Sequence, residues 1–334
     1  MGETTVFTLT LLDWFRENGR PLPWRQSRDP YAIWLSEIIL QQTQVKQGTD
    51  YWLRFMQRWP SVERLAAATE DEVLREWQGL GYYSRARNLH TAARQIVAMG
   101  GFPKTLEGIK SLKGVGDYTA AAIGSIAFGL PAAVVDGNVY RVLSRHYGIQ
   151  TPIDSTEGKK EFRALAQSLL PEGEASAFNQ AMMDFGAIQC TPQSPKCILC
   201  PLQESCVALR TGTVGQLPVK QKTLKVRTRH LVYVYVRCKG ETAIHRRGQG
   251  DIWQGLYEPW LTEEVPCGAR LVAKDVKHVL THQVLKADFY IWETDEKPLL
   301  PEGYIWIKEE DIDNYGIPRL VDILLDRLTK TLRN

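Results

Sequence analysis

Long apolar runs are missing from this chain, and none approaches the length needed to cross a bilayer. The opening Met1-Gly2-Glu3-Thr4-Thr5 lacks the basic, apolar and small-residue order of a secretory leader. The expectation is a soluble, cytoplasmic protein without a membrane partner, in a compartment that keeps thiols reduced. Cysteine is scarce, six in 334 residues, and methionine scarcer still at five. Internal repeats are absent, which argues against a solenoid. Net charge is small, 41 Lys and Arg against 38 Asp and Glu, so bulk electrostatics select no partner class. Acidic residues are missing from the whole stretch between Glu204 and Glu241. That stretch carries Arg210, Lys220, Lys222, Lys225, Arg227, Arg229, Arg237 and Lys239. Such a one-signed segment suits a solvated connector and a phosphate backbone equally well.

The few cysteines present are concentrated. Cys190, Cys197, Cys200 and Cys206 fall within seventeen residues in the pattern C-x6-C-x2-C-x5-C. Four thiols this close form either two disulfides or the ligand set of one metal centre. A reducing compartment disfavours disulfides, and the tight Cys-x2-Cys pair followed by Pro201 favours a metal. Zinc and an iron–sulfur cluster both accept four thiolates. Cys238 and Cys267 lie far from the group and read as ordinary thiols.

With 44% hydrophobic residues the chain can bury a core for two domains. From Thr8 to about Leu209 apolar residues recur at helical spacing, as in Leu11, Leu12 and Phe15, and in Val73, Trp77 and Leu80. Breaks fall at Pro21-Leu22-Pro23, Trp59-Pro60, Gly100-Gly101-Phe102-Pro103 and Gly129-Leu130-Pro131. The period then changes. His230 to Arg237, Ala287 to Trp292 and Tyr304 to Ile307 read as β-branched and aromatic strands, and 317–328 as a closing helix. The division expected is a helical domain over 1–210, a basic linker over 211–229 and an α+β domain over 230–334.

Two motifs carry chemistry. Leu112-Lys113-Gly114-Val115-Gly116-Asp117-Tyr118-Thr119 separates two helical stretches. Its glycines permit a tight turn that aims backbone N–H groups outward at a helix start, a site suited to a phosphate oxygen. Twenty residues on, Asp136 follows an apolar run and precedes Gly137-Asn138-Val139-Tyr140-Arg141. By itself it reads as a helix N-cap. A glycine hairpin, an aspartate at this spacing and the four-cysteine pattern together are far more specific. With them the chain resembles the helix-hairpin-helix DNA glycosylases that carry an iron–sulfur cluster, and within them the adenine DNA glycosylase (MutY) family. The resemblance covers nearly the full length.

The resemblance implies a mainly α, two-lobed helix-hairpin-helix fold with a [4Fe–4S] loop at 190–206, followed by a C-terminal α+β Nudix-like domain. Ser36-Glu37-Ile38-Ile39-Leu40-Gln41-Gln42 is similar to the catalytic-acid motif, placing the acid at Glu37. Its apolar neighbours would raise its pKa toward a useful range. Asp136 would stabilise the sugar cation and Asn138 would partner it. Tyr118 stands where the endonuclease III type has the lysine that forms a Schiff base, so base removal without strand cleavage is implied. Arg20, Trp24, Arg25, Leu40 and Gln180 match adenine-pocket positions. Gln42 and Tyr82 match residues inserted into the base stack, and Gly114, Val115 and Gly116 match the DNA-binding hairpin. In the second domain Leu280-Thr281-His282 stands where the family typically reads Phe-Ser-His against 8-oxoguanine. A Glu-rich Nudix metal box is lacking. The implied partner is double-stranded DNA bearing 8-oxoguanine:A or G:A mispairs, bound by a monomer associated with a bacterial nucleoid. A bifunctional endonuclease III type and a non-catalytic iron–sulfur DNA sensor are the alternatives.

Overall fold

A computed structural model describes residues 5–221 and 226–331. Positions 222–225 of the basic connector, with Lys222 and Lys225, lie outside the described residues. The helices run α1 (Val6–Asn18), α2 (Pro30–Ile39), α3 (Val45–Arg58), α4 (Val62–Ala67), α5 (Glu70–Glu76), α6 (Ser84–Ala98), α7 (Leu106–Lys110), α8 (Asp117–Phe128), α9 (Gly137–Tyr147), α10 (Thr156–Ser168), α11 (Ala175–Asp184), α12 (Val207–Arg210) and α13 (Arg319–Thr331). The strands are β1 (Arg227–Cys238), β2 (Glu241–Arg246), β3 (Tyr257–Glu258), β4 (Trp260–Leu261), β5 (Arg270–Val279), β6 (Gln283–Thr294) and β7 (Tyr304–Lys308). No described helix is long and apolar enough to cross a membrane.

The backbone groups into two compact units. One comprises Met1–Ala66 with Thr91–Lys222, the other Ala67–His90 with Thr223–Asn334. A short helical stretch around α5 therefore belongs with the sheet.

The first unit is all helical. Its main core joins Leu11 and Leu12 of α1 to Val139, Val142 and Leu143 of α9, Phe162 of α10, and Phe178, Ala181 and Met182 of α11. At helical spacing these residues form one apolar stripe per helix, and burying four stripes against one another drives the assembly. Central α2 is different. Every residue from Tyr31 to Ile39 is buried, so this helix has no solvated face and any polar group on it is desolvated. Asp29 caps it by accepting from Tyr31 N at 3.0 Å, and Pro30 at its first position cannot be missed as a donor. Helix α8 packs on α2 and brings its N-terminus to the same region.

The second unit is a sheet in the order β3-β2-β1-β6-β5, with β4 on β1 and β7 on β2. β1 and β6 pair in parallel from Arg227↔Gln283 to Cys238↔Thr294, and the other pairs are antiparallel. Alternation along β1 sends Leu231, Tyr233 and Tyr235 to one face. There they meet Leu285, Ala287, Phe289 and Ile291 of β6 and Leu320, Val321, Leu324 and Leu328 of α13.

Candidate active site and metal centre

Two helix starts and one buried helix build the site. Glu37 lies near the end of α2, only 8% exposed. The turn before α8 is closed by Gly114 at φ +78°, a conformation that disfavours a Cβ, and Gly116 takes the N-cap position. One residue into α8, Tyr118 donates its hydroxyl proton to Glu37 Oε2 at 2.8 Å. Asp136 caps α9. Its Oδ1 accepts from Val139 N at 2.8 Å and its Oδ2 from Asn138 Nδ2 at 2.8 Å. The N-cap role and placement in the cleft coincide in this one aspartate.

Glu37, Tyr118, Asp136 and Asn138 line a single cleft of about 760 Å³, together with Arg20, Trp24, Arg25, Leu40, Gln42 and Gln180. Burial pushes the Glu37 carboxyl up to about 7. The Tyr118 hydrogen bond opposes the rise, the Asp136 carboxylate adds to it, and the Arg25 charge opposes it. Burial also raises Asp136, but three hydrogen bonds from Val139 and Asn138, with the Arg141 charge, work against the rise. Tyr118 is held neutral, its pKa well above the ordinary value through burial and the two nearby carboxylates. Two carboxylates in one cleft thus have environments that differ in kind: one is apolar with a single donor, the other ringed by donors. Gly114 and Val115 do not line the cleft; they form the turn that aims α8 at it.

Sequence reasoning missed several residues of this cleft. Met183 lines it and its Sδ receives the Tyr118 hydroxyl at 3.7 Å. Arg141 donates to Asn138 Oδ1 at 2.8 Å, to Gly186 O at 2.6 Å and to Cys190 O at 2.8 Å. Its spacing from Asn138, one helical turn, was the available signal. Asp184 was missed too; it accepts from both Arg20 and Arg25.

The four cysteines converge around one small cavity, and none is paired in a disulfide. A 3-10 turn over Cys197–Leu199 closes with Cys200 N donating to Cys197 O at 3.1 Å, which swings the two sulfurs of the Cys-x2-Cys pair to one side. Buried Arg145 donates to Cys190 Sγ at 3.5 Å and to Thr191 O at 2.7 Å. Burial raises the Cys190 thiol and pushes Cys200 up to about 11, so thiolates at these two positions need a cationic centre to balance them. The donor set fits a cluster ligated by four thiolates.

A second cavity, of about 490 Å³, lies within the sheet-containing unit. Leu280, Thr281 and His282 form the turn between β5 and β6, closed by Leu280 N donating to Gln283 O at 2.8 Å. Tyr82, held at φ +47°, hydrogen-bonds through its hydroxyl to Thr281 Oγ1. Trp253, His278 and Arg319 also line the cavity and were not anticipated as site residues. The last lies beyond every motif, reaching the cavity from α13.

Residues 35–172 match the family described as HhH-GPD superfamily base excision DNA repair protein, 190–206 the iron-sulfur binding domain of endonuclease III, and 232–327 the NUDIX domain. The chain accordingly carries a [4Fe–4S] cluster over 190–206, and the four cysteines that converge there fit its ligand set. An adenine DNA glycosylase of Mus musculus is 45% identical over 228 residues, covering 65% of this chain and 44% of that protein. The chain thus spans less than half of the mammalian relative. An adenine DNA glycosylase of Buchnera aphidicola subsp. Schizaphis graminum is 34% identical over 255 residues, covering 75% of this chain and 74% of that protein. Among solved structures, a thermostable thymine-DNA glycosylase superposes with a TM-score of 0.58 at 33% identity, over 62% of this chain and 96% of that one. On the helical glycosylase fold, the cysteine centre, the sheet domain and these likenesses, the chain belongs to the adenine DNA glycosylase family.

Proposed function

We propose that the chain is a monofunctional adenine DNA glycosylase of base excision repair. It hydrolyses the N-glycosidic bond of adenine opposite 8-oxoguanine, and less efficiently opposite guanine, in duplex DNA. The observation that carries the reading is the buried Glu37, hydrogen-bonded to neutral Tyr118 and sharing a cleft with the donor-ringed Asp136.

With its carboxyl raised to about 7, Glu37 is substantially protonated at working pH and can give its proton to N7 of an extruded adenine. The bonding pair of the C–N link then leaves with the base, and positive charge develops on the sugar. Asp136, the better solvated by hydrogen bonds of the two carboxylates, stabilises that charge from a fixed position at the start of α9. Water adds to the sugar carbon and surrenders a proton, which leaves an intact abasic strand. Tyr118 has no amine with which to form a Schiff base, and this supports base removal without strand scission.

Binding and extrusion follow the same logic. The hairpin Gly114-Val115-Gly116 suits a backbone phosphate ahead of α8. Gln42 and Tyr82, at φ +56° and +47°, both occupy the left-handed region, and non-glycine residues held there are over-represented at functional sites. Each by itself suits a side chain inserted into the base stack beside a flipped base. In the second unit, the Thr281 hydroxyl and the His282 imidazole supply the hydrogen-bonding groups for 8-oxoguanine, while Leu280 offers an aliphatic contact. Cys190, Cys197, Cys200 and Cys206 would hold the cluster, whose bonds to them would order the loop 190–206; Lys196 is the single charge the first six residues after Cys190 offer to DNA.

Release of free adenine from a duplex carrying A opposite 8-oxoguanine, measured in single turnover, tests this reading. Glu37→Gln and Asp136→Asn should each lower the rate by about a hundredfold or more. Release at the wild-type rate by either variant would refute the assignment of that residue.

A further inference from the structure

We propose that Asp184 is a positioning residue that compensates the charges of Arg20 and Arg25 at the wall of the cleft they share with the carboxyl of Glu37. This rests on reading Glu37 as the proton donor. Asp184 is the last residue of α11, and its side chain has no solvent exposure. Its carboxylate receives five hydrogen bonds. Arg20 gives three, from N at 2.9 Å, Nε at 2.9 Å and Nη2 at 2.5 Å. Arg25 gives two, from Nη1 at 2.7 Å and Nη2 at 2.9 Å. Arg25 also donates to Arg20 O at 2.9 Å and lies over the Phe15 ring, 5.5 Å from its centroid. Both guanidinium groups are thereby fixed at the wall of the cleft that contains Glu37.

The geometry presents a problem that Asp184 solves. A general acid loses its proton readily beside a cation, and three arginines, Arg20, Arg25 and Arg141, line this cleft. The groups facing Glu37 are Tyr118 from α8, Asp136 from the start of α9 and Arg25 from the 3-10 turn Pro23–Arg25. Arg20 and Arg141 line the same cavity. Of the two acidic groups that counter these cations, Asp136 belongs to the reaction. Asp184 is buried with the five hydrogen bonds to its carboxylate coming from Arg20 and Arg25, so its part is to compensate them and to fix which way their planes face. Burial by itself would raise its own pKa, but the bonds from Arg25 and Arg20 outweigh burial and keep it ionised.

The test reads the Glu37 proton directly. In the full-length protein with glutamate labelled by ¹³C at the side-chain carboxyl, the Glu37 signal is the one missing from Glu37→Gln. Its titration midpoint should fall by about one pH unit or more in Asp184→Asn, because two cations lose their counter-charge. Adding Arg25→Met to that variant should bring the midpoint back up. Arg25→Met alone, which keeps Asp184 paired with Arg20, should move it upward, and this serves should Asp184→Asn not fold. A midpoint unmoved in Asp184→Asn, or in Arg25→Met, overturns the proposal and leaves Asp184 a purely structural ion-pair partner. The reading of Glu37 as the acid fails separately, if the alkaline limb of the single-turnover rate does not coincide with this midpoint in the wild type.

Discussion

Glu37 is held at a cost to the fold, and that cost is measurable. Its carboxyl titrates at about 7 in the folded chain against 4.5 for the ordinary group. Between these values the folded protein keeps a proton that the unfolded chain has lost, so stability must fall as pH rises through that window. The loss should reach about 3 kcal/mol at its end. Urea unfolding at about pH 5 and about pH 8 should show this extra loss in the wild type and not in Glu37→Gln. Equal pH dependence in the two proteins would mean that the side chain is solvated after all. Activity has the same sign: the rate should hold below about 7 and decline above it, as the acid ionises. The desolvation of Glu37 was legible in its neighbours, since Trp34, Ile38 and Ile39 surround it in sequence and are buried with it. Asp184 was not. In Ala181-Met182-Met183-Asp184-Phe185 it reads as the polar end of a helix, and the arginines that define it lie 164 and 159 residues away.

At the scale of elements, the site is the meeting point of helix starts, and small residues set how closely those starts approach. Gly186, in the π-turn Phe185–Gln189, lies so near α9 that an added Cβ would stand 2.5 Å from Asn138 Cβ and 3.0 Å from its backbone oxygen. Gly186→Ala should therefore push Asn138, and with it the cap at Asp136, out of place. We expect a destabilisation of about 1–3 kcal/mol by urea melts, with a loss of rate that exceeds any loss of DNA binding. Unchanged stability and rate would show that α9 can shift without affecting the aspartate. The Asp136→Asn variant separates the two duties of that residue. Asparagine is as good an N-cap, so stability should change by less than about 1 kcal/mol while base release collapses. Helices, strands and the hairpin were readable from periodicity and glycine placement, because those signals are local. The grouping of 67–90 with the sheet was not readable, because nothing in α5 distinguishes its packing partner from any other amphipathic helix's.

For the whole molecule, one chain combines a helical unit holding the carboxylates and the cysteine centre with a sheet unit holding Tyr82 and Thr281. These last two are 199 residues apart and hydrogen-bonded. The NUDIX likeness gives the sheet unit its fold, and the proposed contact with the oxidised base is the short turn Leu280-Thr281-His282. If that turn reads the oxidised base, Thr281→Ala should lower the preference for A opposite 8-oxoguanine over A opposite G by about two- to tenfold, leaving the A:G rate nearly unchanged. An equal loss on both duplexes would assign Thr281 to holding Tyr82 alone. The most direct test of the central claim is single-turnover reaction with a duplex carrying A opposite 8-oxoguanine, the products split and analysed with and without alkali. Free adenine with strand breaks only after alkali is the predicted result. Breaks without alkali would contradict it, because Tyr118 offers no amine to cleave the sugar, and intact DNA in both lanes would contradict glycosylase activity altogether.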